Sequence, residues 1–398
     1  MNNPYQSLDW QHVIRVASTP HMHLAAPWEN PPLSPRRRLE NARRHGLRHF
    51  PISNYYPSAP CTPSTRLSDF RLRQAWSTTR NGVPVPAPIN WNELITWQDE
   101  LEEEYRQQLP FQETDVLFPD LPADILLSKN AEHHSFTNSP CHITCPGSAF
   151  CSGNFDARNR FRLRDHGYPT GYAGPWQEGF REMIEHLEYP DGGGIVIAHP
   201  TWSHLTDAAV LEMLDFSPCV LGIEIYNDGV ARGIREGRYP LEEGEPVPGY
   251  STHMWDRILS TGRQCLGFAV PDHNIGEQGD WLGRVVLLVP EFTEQACLRA
   301  YRQGHFYACL KDSGLAITEF AVDSHGVSVA ANAVARFKFI VDGAVAATAV
   351  GRSATYDLPQ KNGTPDLTYV RVEVEDDSGE RLFAQPVIFR GPDGGLLP

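Results

Sequence analysis

Short apolar runs alternating with amphipathic helical segments constrain this chain more than any other feature. The pattern starts with a strand at Val13–Val16. It is followed by S-P-R-R-R-L-E-N-A-R-R-H-G, which has a Ser cap, a Pro at the first helical position and Gly46 at the end. That spacing predicts a helix over 35–45 and a second strand over 48–53. The pattern resumes with strand D-I-L-L-S, helix W-Q-E-G-F-R-E-M-I-E-H-L, strand G-I-V-I-A-H and helix L-T-D-A-A-V-L-E-M-L. Strand L-G-I-E-I-Y-N, helix H-M-W-D-R-I-L-S-T-G, strand Q-C-L-G-F-A-V-P-D, strand R-V-V-L-L-V-P and helix E-Q-A-C-L-R-A-Y-R-Q-G complete it. Buried strands between helices predict an α/β fold with a parallel sheet covered on both faces.

Two segments break the alternation. Residues 57–125 are rich in Pro and Trp and hold the acidic helical stretch W-N-E-L-I-T-W-Q-D-E-L-E-E-E-Y-R-Q-Q-L, so they read as an insertion, a lid over a site. From about Asp312 the period becomes two, with turns at Asp342-Gly343 and Asp377-Ser378-Gly379. Residues 313–398 therefore read as a small antiparallel β unit, a sandwich of about 85 residues. It has no cluster of reactive residues, and its plain use is support or a homo-oligomer contact.

At 398 residues the chain has room for a large domain plus a small one. A net charge of −15 argues against wrapping a nucleic-acid backbone. No apolar run approaches the roughly 20 residues of a membrane span, and the N-terminus lacks the basic start and apolar stretch of a signal peptide. The eight cysteines lie mostly in apolar segments, as reduced thiols would, so the expected compartment is the cytoplasm. Cys141, Cys145 and Cys151 match no common zinc spacing.

Residues of metal-ligand type fall at or just after the C-terminal ends of the predicted strands, where barrel-type α/β enzymes build their sites. In order they are His21-Met22-His23, Glu132 with His133-His134, His142, His199 in A-H-P, and Asp272-His273-Asn274 in P-D-H-N. An H-x-H pair on an extended strand puts both imidazoles on one face, half of a typical first-row metal site. Of the doublet at 133–134, only one ring can face the site if the backbone is extended. Arg158 and Arg160 could clamp an anion bidentately, although exposed loop arginines are common. G-G-G at 192–194 precedes a strand and is no phosphate loop.

The order of these segments resembles the polymerase and histidinol phosphatase (PHP) superfamily. Its members place H-x-H after the first strand, then I-T-D-H-N, a Glu, a His, A-H-P and D-x-H. The likeness covers residues 13–56 and 125–312, and the tail is similar to the β extension of the branch that includes carbaryl hydrolase. The resemblance implies a distorted (β/α)7 barrel over 1–312, carrying the helical 57–125 insertion, followed by the β domain at 313–398. It implies a first metal site of His21, His23, Glu132 and Asp272, and a second of Glu132, His142 and His199. The third site is altered: Tyr55 and Asn274 stand where histidines would, and Asn54 stands for the Asp.

The expectation is therefore a dinuclear centre of two divalent ions (Zn, Mn or Fe), with the third site empty or remodelled and His273, one position early, as a partial substitute. Tyr55 and His134 are further candidate catalytic groups, with Asn54, Arg158 and Arg160 on the substrate. A Glu bridging two ions about 3.5–4 Å apart lets them share a hydroxide as nucleophile. The activity this implies is hydrolysis of a small-molecule phosphoester. The runners-up are carbamate, ester or amide hydrolysis and a catalytically degenerate scaffold.

Overall fold

The computed structural model describes residues 1–23, 35–53, 71–72, 76–80, 83–87, 122–134, 136–151, 172, 174–241, 247–273, 283–311 and 313–397. Each apolar run of the alternating series forms a strand in it. Ile195–Ala198, Val220–Asn227 and Leu266–Val270 are buried at every position and pair in parallel. The helices between them cover the sheet with one face. Thr252–Leu259 buries Met254, Trp255, Ile258 and Leu259, at the i, i+3, i+4 spacing of an apolar stripe. Asp207–Phe216 buries Val210, Met213 and Leu214, and its Thr206 cap accepts a hydrogen bond from the Ala209 N–H. Fully burying each large apolar side chain contributes roughly 1.5–3 kcal/mol. The helices Pro35–Arg44, Trp176–Glu185 and Glu294–Gln303 also fall where the sequence predicts them.

The described strands make two principal sheets. The smaller runs Leu266–Val270, Val220–Asn227, Ile195–Ala198, His142–Thr144, Glu132–His133. The larger follows a path from Ile317–Val322 to Leu126–Ser128 and includes Ile14–Ser18, His49–Pro51, Arg284–Val289 and Phe306–Cys309. The expectation of a parallel sheet is corrected at several strand pairs. His142–Thr144 is antiparallel to Ile195–Ala198, and Ile14–Ser18 is antiparallel to Arg284–Val289. No helical crossover leads into His142–Thr144: it pairs antiparallel with Glu132–His133 just before it, and antiparallel neighbours need none.

Among the described residues the sheets stay open and form no closed barrel. Backbone links join them at the end that holds the candidate ligands. Met22 makes a single parallel bridge with Asp272, and the Glu132 N–H donates to the Ser53 carbonyl at 3.0 Å. Every candidate ligand lies beside this seam. His142 reaches it because its strand runs backward and starts at that end, opposite Ala198.

The C-terminal strands are antiparallel, as predicted, and they extend the larger sheet. Phe306–Cys309 pairs with Arg284–Val289 on one edge and with Arg381–Ala384 on the other. Asp342-Gly343 turns the long hairpin Gly326–Val341/Ala344–Asp357 with both φ positive, at 47° and 85°, which a two-residue type I′ turn requires. Of the 57–125 insertion, the described part includes the antiparallel pair Trp76–Arg80 and Val83–Ala87; the acidic helical stretch lies outside the described residues. No helix among the described residues is long and apolar enough to cross a membrane.

Candidate metal centre

Alternation along the chain sets up the first wall. Met22 is fully buried and packs with Leu39, Phe50 and Ile52, so His21 and His23 project to the opposite face. Glu132 begins a two-residue strand, and its neighbour His133 takes the other side, where its ring stacks on Phe150 at 5.4 Å. His199 follows strand Ile195–Ala198, and Asp272 follows Leu266–Val270. Both turn with positive φ, 26° and 53°. His and Asp tolerate that region better than most residues, yet it is sparsely populated, and such strain persists where the surroundings over-determine it.

Five side chains converge around Glu132, making a cluster of six. Its Oε2 lies 3.2 Å from His21 Nε2 and 2.9 Å from His23 Nε2. Its Oε1 lies 2.7 Å from His142 Nδ1 and 3.6 Å from His199 Nε2. Asp272 Oδ1 lies 3.3 Å and 3.4 Å from the Nε2 atoms of His21 and His23, which are themselves 3.1 Å apart. Three overlapping triads, each with its donor atoms within 4.8 Å of one another, come out of this cluster: His21–Glu132–His199, His21–His23–Asp272 and His23–Glu132–His273.

The donors fit a cation. Glu132 Oε2 and Asp272 Oδ1 are buried and accept no hydrogen bond from any described group, which is costly for a carboxylate oxygen unless something positive meets it. His21 Nδ1 lies 2.7 Å from Glu224 Oε1. A carboxylate only accepts, so Nδ1 carries the proton, and in the neutral ring Nε2 then presents a lone pair to the two carboxylates.

The local fields are strong. Burial works against the His21 imidazolium, but Asp272, Glu224 and Glu132 outweigh it and raise the ring well above the ordinary histidine range. Burial would likewise raise Glu132, yet His21, His142 and His199 hold it well below the usual carboxylate range. Asp272 is held down to about 2: burial opposes this, and His21, His273 and His23 prevail.

The structure thus brings His21, His23, Glu132, His142, His199 and Asp272 together. His273 stacks on His23 at 3.9 Å and 18°, with its Nε2 3.4 Å from Asp272 Oδ1. His134 stacks on His142 at 4.9 Å, next to the cluster. Burial pulls its ring well below the ordinary range. Asn54, Tyr55, Arg158, Arg160 and Asn274 lie outside the described residues. Burial pushes the Cys141 thiol up to about 12, away from the thiolate a metal needs.

Sequence reasoning passed over four residues here. Glu224 and Asn227 sit in the buried strand Val220–Asn227. Ser203 Oγ lies 3.1 Å from His199 Nδ1. Trp202 stands edge-on to both His142 and His199, at 5.6 Å and 4.9 Å. The available signal for Glu224 was a lone carboxylate inside an eight-residue apolar strand, where it needs a buried partner.

No family model matches the chain, and no curated protein does. Among solved structures, it is similar to the crystal structure of a two-domain protein from Bacteroides vulgatus containing a predicted PHP-like metal-dependent phosphoesterase. The identity is 14% and the TM-score 0.38, over 100% of this chain and 97% of that one. At that score the likeness is one of outline, and the chemistry rests on the side chains above.

Proposed function

We propose that this chain is a metal-dependent hydrolase of small-molecule phosphoesters with a dinuclear centre. His21, His23, Glu132 and Asp272 would hold one divalent ion, and Glu132, His142 and His199 the other. The observation that carries this is the splitting of Glu132, with one oxygen facing His21 and His23 and the other facing His142 and His199. Zn, Mn and Fe(II) all suit such a mixed set of imidazoles and carboxylates. Bound there, the ions would supply an activated water nucleophile and positive charge against the developing oxyanion.

The chain's own part is to hold these groups dry and aimed. Glu224 keeps the proton on His21 Nδ1, and burial of Glu132 and Asp272 strengthens every charge interaction inside. The same reading takes the two open sheets as parts of the distorted barrel that the PHP resemblance implies, with 313–398 as its supporting β domain.

Hydrolysis of an aryl ester or carbamate is the second reading, favoured by Trp202. Its half-buried indole stands against His142 and His199 and packs on Tyr239 at 5.4 Å, a surface on which a planar apolar group could stack. The test is a metal count on stripped and reloaded protein, joined to a screen of phosphate, carbamate and ester substrates. Two ions per chain and turnover that vanishes in His21→Ala and Glu132→Ala are expected. Full activity in either variant would sink the mechanism, and failure to bind metal would leave a scaffold.

A further inference from the structure

Glu224 stands one layer behind the cluster, fully buried, and three donors reach it from three different segments. Its Oε1 accepts from His21 Nδ1 at 2.7 Å. Its Oε2 accepts from the backbone N–H of His199 at 2.8 Å and from Asn227 Nδ2 at 2.8 Å. The same Asn227 amide donates to Asp272 Oδ2 at 3.2 Å, the oxygen turned away from the imidazoles. Both His199 and Asp272 occupy positive-φ backbone.

From this geometry we infer that Glu224 is the positioning residue that couples the two metal sites, so that its loss weakens both ions together. The inference rests on the dinuclear reading above. Three steps lead to it. Binding the His21 Nδ1 proton fixes the tautomer, so Nε2 is left as the donor atom of the first site. Holding the His199 N–H pins the strained turn that aims His199 Nε2 at Glu132 Oε1, in the second site. Holding Asn227 steers Asp272 so that Oδ1 stays on the imidazole side. One buried carboxylate therefore orders a ligand of each site and, through one amide, a third.

An amide cannot do this. In Glu224→Gln the oxygen can still accept on one side, but the NH2 must then face either His21 Nδ1 or the His199 and Asn227 donors that the other carboxylate oxygen had satisfied.

The experiment is titration of the metal-free 398-residue chain with Co(II), followed by calorimetry and by the visible d–d absorption of the bound ion. Glu224→Gln and His142→Ala are compared with the unsubstituted chain, and the melting temperature of each metal-free form checks folding. A carboxylate orienting a ligand histidine is typically worth 10–100-fold in metal affinity. Glu224→Gln should therefore lose roughly that at both binding steps and shift the absorption of both, whereas His142→Ala should weaken one step only. Two ions bound by Glu224→Gln at unchanged affinity and spectrum would overturn the coupling. Loss at a single step would reduce Glu224 to a support for one histidine and overturn it as well. If the unsubstituted chain binds no ion, it is the dinuclear reading that fails. Should Glu224→Gln melt early, Asn227→Ala, which removes the amide bridge between Glu224 and Asp272 and the cap on Val230 but keeps the His21 and His199 bonds to Glu224, must still weaken the first step.

Discussion

The residue scale carries the sharpest demands, because two of the cluster's side chains hang from backbone that most residues avoid. Asp272 sits at φ 53° with one carboxylate oxygen aimed at the Nε2 atoms of His21 and His23. Its charge and its backbone tolerance separate cleanly by substitution. Asn keeps the tolerance for positive φ and loses the charge. Ala loses both, at about 1–2 kcal/mol for the left-handed backbone. Asp272→Asn should therefore melt near the parent temperature without metal while binding the first ion poorly. Asp272→Ala should bind it equally poorly and also melt lower. Calorimetry and thermal melts of the metal-free proteins check both; equal melting of the two variants would show that the backbone carries no strain there. The six converging residues were legible in the sequence because each belongs to a short motif at a strand end. Glu224 was not, since a single acid in an apolar strand names no partner until the fold supplies His21, His199 and Asn227.

At the scale of elements, the series of strands and helices was legible from periodicity, but strand direction was not. A run such as R-V-V-L-L-V is buried on both faces either way, and its residues do not encode whether its neighbour runs with or against it. The helix Asp228–Arg235 escaped for a different reason. It spans eight residues and holds two glycines, too short and too weak a former for a periodic signal. It matters to the site: a Cβ on Gly229 would lie 3.1 Å from Asp272 Oδ2 and 3.2 Å from its Cβ and Cγ. Gly229→Ala should raise helix propensity by up to about 1 kcal/mol, leaving metal-free stability equal or higher. The displaced carboxylate should weaken metal binding severalfold in a Co(II) titration; unchanged affinity would show that Asp272 gives way freely.

His49 links three neighbouring strands, with Nδ1 2.9 Å from Ser18 Oγ and Nε2 2.7 Å from Ser128 Oγ. Burial pushes its ring down from 6.5 to about 3. A lowered histidine is neutral in the fold, so the unfolded chain takes up the proton first as pH falls. The stability that the neutral ring supports is complete above about 6.5 and drains away toward 3, at about 1.4 kcal/mol per pH unit. Urea unfolding at pH 7, 5.5 and 4.5 should show a slope shallower by that amount in His49→Gln, and parallel slopes would refute it.

For the whole molecule, the site's place at the seam has a mechanical consequence. His21 and His23 extend from the larger sheet, whereas Glu132, His142, His199 and Asp272 belong to the smaller one. Backbone links at this end include the Met22–Asp272 bridge and the Glu132–Ser53 hydrogen bond. An ion held by His21, His23, Glu132 and Asp272 would therefore staple one sheet to the other, while the ion held by Glu132, His142 and His199 would tie the smaller sheet to itself. Ligand binding stabilises the native state by RT ln(1 + [L]/Kd), about 2.7 kcal/mol at a hundredfold excess over Kd. Chelation should accordingly lower the melting temperature reversibly, and hydrogen exchange should rise most at residues 18–23, 49–53 and 266–273, on both sides of the seam. His142→Ala, which leaves the stapling set intact, should keep most of the metal-dependent protection there, whereas His23→Ala should lose it. Equal exchange at the seam with and without metal would mean that the core, and not the ions, holds the sheets together.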